Sequence, residues 1–163
     1  MPFLKTLLFT LLVPASVTIL VPQLLLSANV KFWPDDFSVH WLLGFTLIGI
    51  GAAFYFKCAW DFASFGKGTP VPLDPPRNFV ARGLYRLVRN PMYVGVLLVL
   101  IGQALIFRSF LILGYTILMW LCFHLFVTLY EEPTLRKKFG SSYDEYCRTV
   151  PRWFPAWYRK MSS

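Results

Sequence analysis

The chain has 163 residues, 56% of them hydrophobic and 15% charged, where a soluble domain averages about 45–50% and roughly 25%. All 24 charged residues lie outside four charge-free stretches that together occupy 85 positions, and the remainder is too short for a separate soluble catalytic domain of ~100 residues. The net charge of +8 flanks these apolar stretches and comes with no groove-reading module, so it belongs with lipid phosphates rather than nucleic acid.

The first stretch, residues 6–30, is longer than the apolar core of a signal peptide and ends in no clear small-x-small cleavage site, so it is expected to be a membrane span. The second, residues 37–56, follows a short link holding Lys31, Asp35 and Asp36. The third and fourth, residues 90–107 and 109–130, are joined by Arg108 alone. Each is near the ~20 residues that cross a hydrocarbon core. Basic residues concentrate in the loop 57–89 and in the tail 131–163, which puts both segments and both termini on the cytoplasmic side. The expected fold is therefore a single all-α polytopic membrane domain over residues 1–163, with about four transmembrane helices and cytoplasmic amphipathic helices.

Within the loop, residues 66–76 are too rich in Pro and Gly to be helical. Residues 79–89 follow, with Val80, Leu84, Leu87 and Val88 on one helical face and Arg82, Arg86 and Arg89 on another, the pattern of a short helix lying on headgroups. In the tail, Leu135, Phe139, Tyr143, Tyr146 and Val150 recur at helical spacing and predict a second amphipathic helix. Trp153, Trp157 and Tyr158, beside Arg159 and Lys160, read as an interfacial anchor.

GxSxG, HExxH, P-loop and strand-borne GxGxxG motifs are absent from the sequence, so any cofactor must be held by helices and loops. Cys58, Cys122 and Cys147 form no CxxC pair, and His40 and His124 fall on different spans, so no metal site is expected. Two polar clusters close the third and fourth spans: Tyr85 to Tyr93 (YRLVRNPMY), and Glu131 with Glu132. Asn90 and Pro91 suit an N-cap and a first helical position. The glutamates have two readings. Pro133 can open a helix whose N-terminus they favour, or the two carboxylates bind something cationic. Because the third and fourth spans form a hairpin, the two clusters are expected to face one pocket.

The runs GTPVPLDPPRNFVARGLYRLVRNPMYVG and EEPTLRKKFGSSYDEYCRTVPRW resemble the isoprenylcysteine carboxyl methyltransferase family and its bacterial members, which are similar to phospholipid N-methyltransferases. The resemblance covers roughly residues 66–155. It implies S-adenosylmethionine held between the third and fourth spans by the cytoplasmic segments. The family's cofactor motif falls on Arg77, Asn78, Phe79, Val80, Tyr85, Asn90, Pro91, Met92, Tyr93 and Glu131, with Glu132 beside it. The eukaryotic enzymes carry His where this chain has Asn90, and their substrate-binding Arg corresponds here to Val127. A prenylcysteine carboxylate therefore lacks its partner.

The expected activity is methyl transfer from S-adenosylmethionine to a lipophilic acceptor at the cytoplasmic face of an inner or plasma membrane, with no metal. A carboxylate acceptor needs no base. An amine or hydroxyl does, and Glu131, Glu132, Tyr93 and His124 are the candidates. The rival readings are an NADPH-dependent reductase of the sterol reductase type, whose cofactor phosphate would use Arg82, Arg86 and Arg89, and a non-enzymatic membrane accessory protein on the same scaffold.

Overall fold

The computed structural model describes residues 12–27, 39–61, 64 and 81–155 of the chain. Every regular element among them is helical. Helix α1, Leu12–Ser27, contains a π-helical turn at Ser16–Leu20. That turn, followed by Pro22 with no N–H to give, strands carbonyls on Val17 and Thr18. Neighbouring helices supply the missing donors: the Tyr115 hydroxyl donates to the Val17 carbonyl at 3.2 Å and the Gln103 amide to that of Thr18 at 2.6 Å. The proline is accommodated because donors inside the bundle re-satisfy the backbone it frees.

Helix α2, Val39–Asp61, packs antiparallel against α3, Pro91–Ile106. The contact is set by glycines seven residues apart on each helix. A Cβ built on Gly51 would meet the Gly95 carbonyl at 2.5 Å, and one built on Gly102 would meet that of Gly44 at 2.6 Å. Such close backbone approach is how helices associate when lipid removes the hydrophobic drive between them. After a turn at Arg108, whose φ is +46°, Ser109 starts the next helix by accepting the Ile112 N–H.

Helix α4, Phe110–Phe126, does not stop at the glutamates. A second π-helical turn, Val127–Glu131, carries it into α5, Glu132–Phe139, making one 30-residue rod. The Glu132 N–H reaches back to the Val127 carbonyl, a shifted register that lets the chain pass Pro133 without breaking. Pro133 therefore begins α5 but no separate helix. Gly140, at φ +56°, ends α5, and α6, Ser141–Thr149, follows.

Among the described residues two helices are long and apolar enough to cross a membrane, α2 and the α4–α5 rod, and only 17% of the apolar stretch of each is buried inside the protein. α1 and α3 are shorter apolar helices. Of the about four transmembrane helices expected, two are long enough to span among the described residues, and the other two stretches correspond there to the shorter apolar helices α1 and α3. Only Gly83–Arg86 of the anticipated 79–89 helix is helical among the described residues, as a 3-10 turn, because Gly83 at φ +55° follows an extended Arg82. The single tail helix is likewise two helices. Its apolar face nevertheless survives the break at Gly140, since Tyr143, Tyr146 and Val150 form one buried cluster with Leu135, Phe139 and Ala81.

Candidate active site

The 3-10 turn is held from two sides. The Tyr146 hydroxyl of α6 donates to the Tyr85 carbonyl at 2.6 Å, and the Arg89 N–H donates to the Pro151 carbonyl at 2.8 Å. Tyr85 is buried, and burial pushes its phenol above the ordinary value, with Cys58 and Glu131 adding to the shift. Its hydroxyl therefore stays protonated, and the ring is buried against Cys58 of α2. Met92 packs against this pair.

Asn90 occupies the N-cap of α3 with Pro91 at the first position, as its sequence signature indicates, but its side chain makes no cap bond. It is buried and donates instead to the Arg152 carbonyl at 3.2 Å. The tail thus takes the group that would otherwise cap the helix.

The two glutamates have different surroundings. Glu132 is 3% exposed and accepts from Arg152 Nε at 2.7 Å and Nη2 at 3.0 Å, while Arg89 Nη1 lies 3.1 Å from the same carboxylate. The Arg152 guanidinium is held above its usual basicity chiefly by the hydrogen bond to Glu132. This fork is the strong bidentate form of an ion pair. Glu131 is half-buried and accepts from the Tyr93 hydroxyl at 3.1 Å. Among the described residues no Lys or Arg pairs with it. Tyr93 is itself fixed by stacking on Phe123, ring centroids 4.8 Å apart.

The hairpin of α3 and α4 therefore brings Tyr93 and Glu131 together across 38 positions of sequence. Tyr85, Met92 and Asn90 border the same region, and Arg77, Asn78, Phe79 and Val80 lie outside the described residues. Glu132 is diverted into the arginine cluster. His124 stacks on Trp120 and its Nδ1 accepts the Trp153 indole N–H at 3.1 Å, so Trp153 docks on the bundle; its anticipated companions Trp157 and Tyr158 lie outside the described residues. Val127 is 1% exposed and packed inside the protein.

Below the Tyr93–Phe123 stack, α3 and α4 enclose an apolar groove of about 280 Å³, lined by Val94, Leu97, Ile101, Ile117 and Trp120 and covered by Trp153. Four residues had no expected place at this site. Cys58 and Asp61 lie two and five residues beyond the second apolar stretch, where the extension of α2 carries them. Arg152 and Trp153 belong to a motif whose partners, Glu132 and His124, are 20 and 29 residues away.

These residues fit a cationic, donor-bearing cofactor. A carboxylate held by a phenol and lacking a cation suits a sulfonium or ammonium group, and the neighbouring rings offer π faces to the same charge.

Residues 39–142 match the phospholipid methyltransferase family. The chain is similar to the probable protein-S-isoprenylcysteine O-methyltransferase of Oryza sativa subsp. indica, 30% identical over 93 residues, covering 56% of this chain and 48% of that protein. It is 28% identical over 146 residues to protein-S-isoprenylcysteine O-methyltransferase B of Arabidopsis thaliana, covering 86% and 73%. With the protein-S-isoprenylcysteine O-methyltransferase of Schizosaccharomyces pombe it shares 34% identity over 77 residues, 47% of this chain and 32% of that protein. The chain spans about half the length of the rice relative. No solved structure matches it.

Proposed function

Because the chain belongs to the phospholipid methyltransferase family, we propose that it is an integral membrane methyltransferase that moves the methyl group of S-adenosylmethionine to a lipophilic acceptor at the cytoplasmic membrane face. The observation that carries this reading is the contrast between the two adjacent glutamates: Glu132 is neutralised by two arginines, and Glu131, beside Tyr93, pairs with no Lys or Arg among the described residues. A site for an anionic cofactor would be built the other way round. The names of the rice, Arabidopsis and fission yeast relatives support a methyl acceptor of prenylated or lipid type.

In this reading the bound cofactor supplies an activated methyl group on a sulfonium. Glu131 faces that positive charge, with Tyr93 fixing the carboxylate's direction. Tyr85, Met92 and Asn90 form the adjoining wall. Glu132 serves as the post that ties Arg89 and Arg152 together rather than as a base. The groove between α3 and α4 takes the acceptor's hydrocarbon, since it is apolar and opens among lipid-facing helices. A protein of this kind accelerates transfer mainly by alignment and exclusion of water. Where the acceptor is an amine or a hydroxyl, Glu131 is the nearest group able to take its proton.

An NADPH cofactor needs basic partners for its 2′-phosphate, and Arg89, one of three candidates, is committed to Glu132. Calorimetric titration of the purified protein with S-adenosylmethionine, S-adenosylhomocysteine and NADPH tests the proposal. The first two are expected to bind and NADPH is not. Binding of NADPH alone would replace this reading with a reductase, and binding of none would favour an accessory protein.

A further inference from the structure

Asp61, the last residue of α2, is a charged group buried at the end of a lipid-facing helix. It is 3% exposed. Its Oδ1 pairs with Lys57 one turn earlier, while Oδ2 is buried and has no hydrogen-bond partner among the described residues. Buried carboxylate oxygens are almost always paired, so an orphan at a helix end is evidence of a missing donor.

The surroundings tell where that donor belongs. Gly83 holds φ +55°, and a Cβ built there would come 2.8 Å from Oδ2, so any larger residue at this position would crowd the oxygen. Two residues on is Tyr85, and Cys58, one turn before Asp61, is buried against that tyrosine. Tyr85 also lies near Glu131, whose charge adds to the upward shift of its phenol. Asp61 and Glu131 thus border one polar cluster from different helices, α2 and the α4–α5 rod.

Their electrostatic situations differ, and the difference selects the ligand group. Glu131 has no paired cation among the described residues, so it is suited to the ligand's positive charge. Asp61 already has Lys57, so its remaining oxygen is suited to a neutral donor, and the vicinal hydroxyls of a ribose are such donors; acidic residues recognise them elsewhere in this way. We propose that Asp61 is a further cofactor-binding residue whose free Oδ2 accepts a hydrogen bond from the ribose hydroxyls of the adenosyl group. This rests on the S-adenosylmethionine reading above and extends it to α2.

The test is a binding measurement on the full chain in detergent, with S-adenosylhomocysteine and its 2′-deoxy and 3′-deoxy analogues as probes. Wild type is expected to bind the parent about ten-fold or more tightly than at least one deoxy analogue, as befits a bond to a charged acceptor. Asp61→Ala is expected to lose about that factor with the parent and to show no further loss with the same analogue. Asp61→Asn keeps the shape of the side chain and is measured beside it, so that misfolding of the alanine variant does not decide the outcome; it is expected to bind the parent more weakly and to show a smaller deoxy penalty. Equal binding of the parent and both deoxy analogues to wild type would overturn the inference, as would a folded variant that keeps wild-type affinity and the full deoxy penalty. In those cases Asp61 would serve Lys57 alone. Failure of wild type to bind S-adenosylhomocysteine at all would instead strike the methyltransferase reading, so the two failures are distinguishable.

Discussion

Neighbouring glutamates that look alike in the sequence should respond in opposite ways to the same substitution. In Glu132→Gln, one carboxylate oxygen becomes an amide N–H₂ facing guanidinium donors. The fork from Arg152, at 2.7 and 3.0 Å, loses one arm, and Arg89 at 3.1 Å loses its counter-charge. Arg89 is the costlier loss, because its side chain is only 11% exposed and its Nε already lacks a partner. Removing one member of a buried ion pair costs about 3–5 kcal/mol, and the half-exposed Arg152 places this cluster toward the lower figure. For a domain of this size that is roughly 6–20 °C in Tm. The assay is thermal unfolding of the purified protein in detergent, with Glu131→Gln run in parallel. Glu131→Gln should unfold within about 0.5 kcal/mol of wild type, the range of changes outside the buried network, yet lose about ten-fold or more in S-adenosylmethionine affinity, because a charge-assisted contact worth about 1.5–3 kcal/mol is gone. A Glu132→Gln protein as stable as wild type would refute the reasoning that the tail is pinned through this carboxylate. Unchanged affinity in Glu131→Gln would show that the acid only favours the start of α5.

Tyr93→Phe keeps the stack on Phe123 but deletes the 3.1 Å bond to Glu131; cofactor affinity should fall several-fold with little change in unfolding temperature, measured by the same titration. Gly51→Ala drives a methyl to within 2.5 Å of the Gly95 carbonyl and should cost about 1–3 kcal/mol, whereas Gly49→Ala meets nothing within 4 Å and should be neutral or stabilising in the same melt. With Val127 apolar and buried, a prenylcysteine carboxylate would find no partner there, so a panel assay of methyl transfer from labelled cofactor should favour lipid amines or hydroxyls; robust turnover of a prenylcysteine analogue alone would reverse this. Thiol labelling of single-cysteine variants should mark Pro34→Cys from outside and Asp74→Cys from the cytoplasm, and the opposite pattern would sink the four-span topology.

Composition and charge spacing were enough to read the helices of the described residues, two of them long and apolar enough to cross a membrane, because lipid forces long charge-free runs into helices whatever they later pack against. The pairing of Tyr93 with Glu131 was also within reach, since a hairpin joined by one residue must return its far ends together. The breaks were harder to read. Periodicity placed Leu135, Phe139, Tyr143, Tyr146 and Val150 on one face, and that face exists, but the kink at Gly140 is invisible to an apolar pattern that stays in phase across it. The helical pattern of residues 79–89 failed because Gly83 takes a positive φ beside Asp61, a constraint supplied by a different helix. Tertiary structure alone distinguished the two glutamates. They are adjacent in the chain, but a π-helical turn ending at Glu131 rotates one carboxylate toward Tyr93 and the other toward Arg89 and Arg152. The charge left unpaired depends on which side chains of distant segments arrive beside each, and residues 20 to 43 positions away in sequence decide that only once the chain has folded.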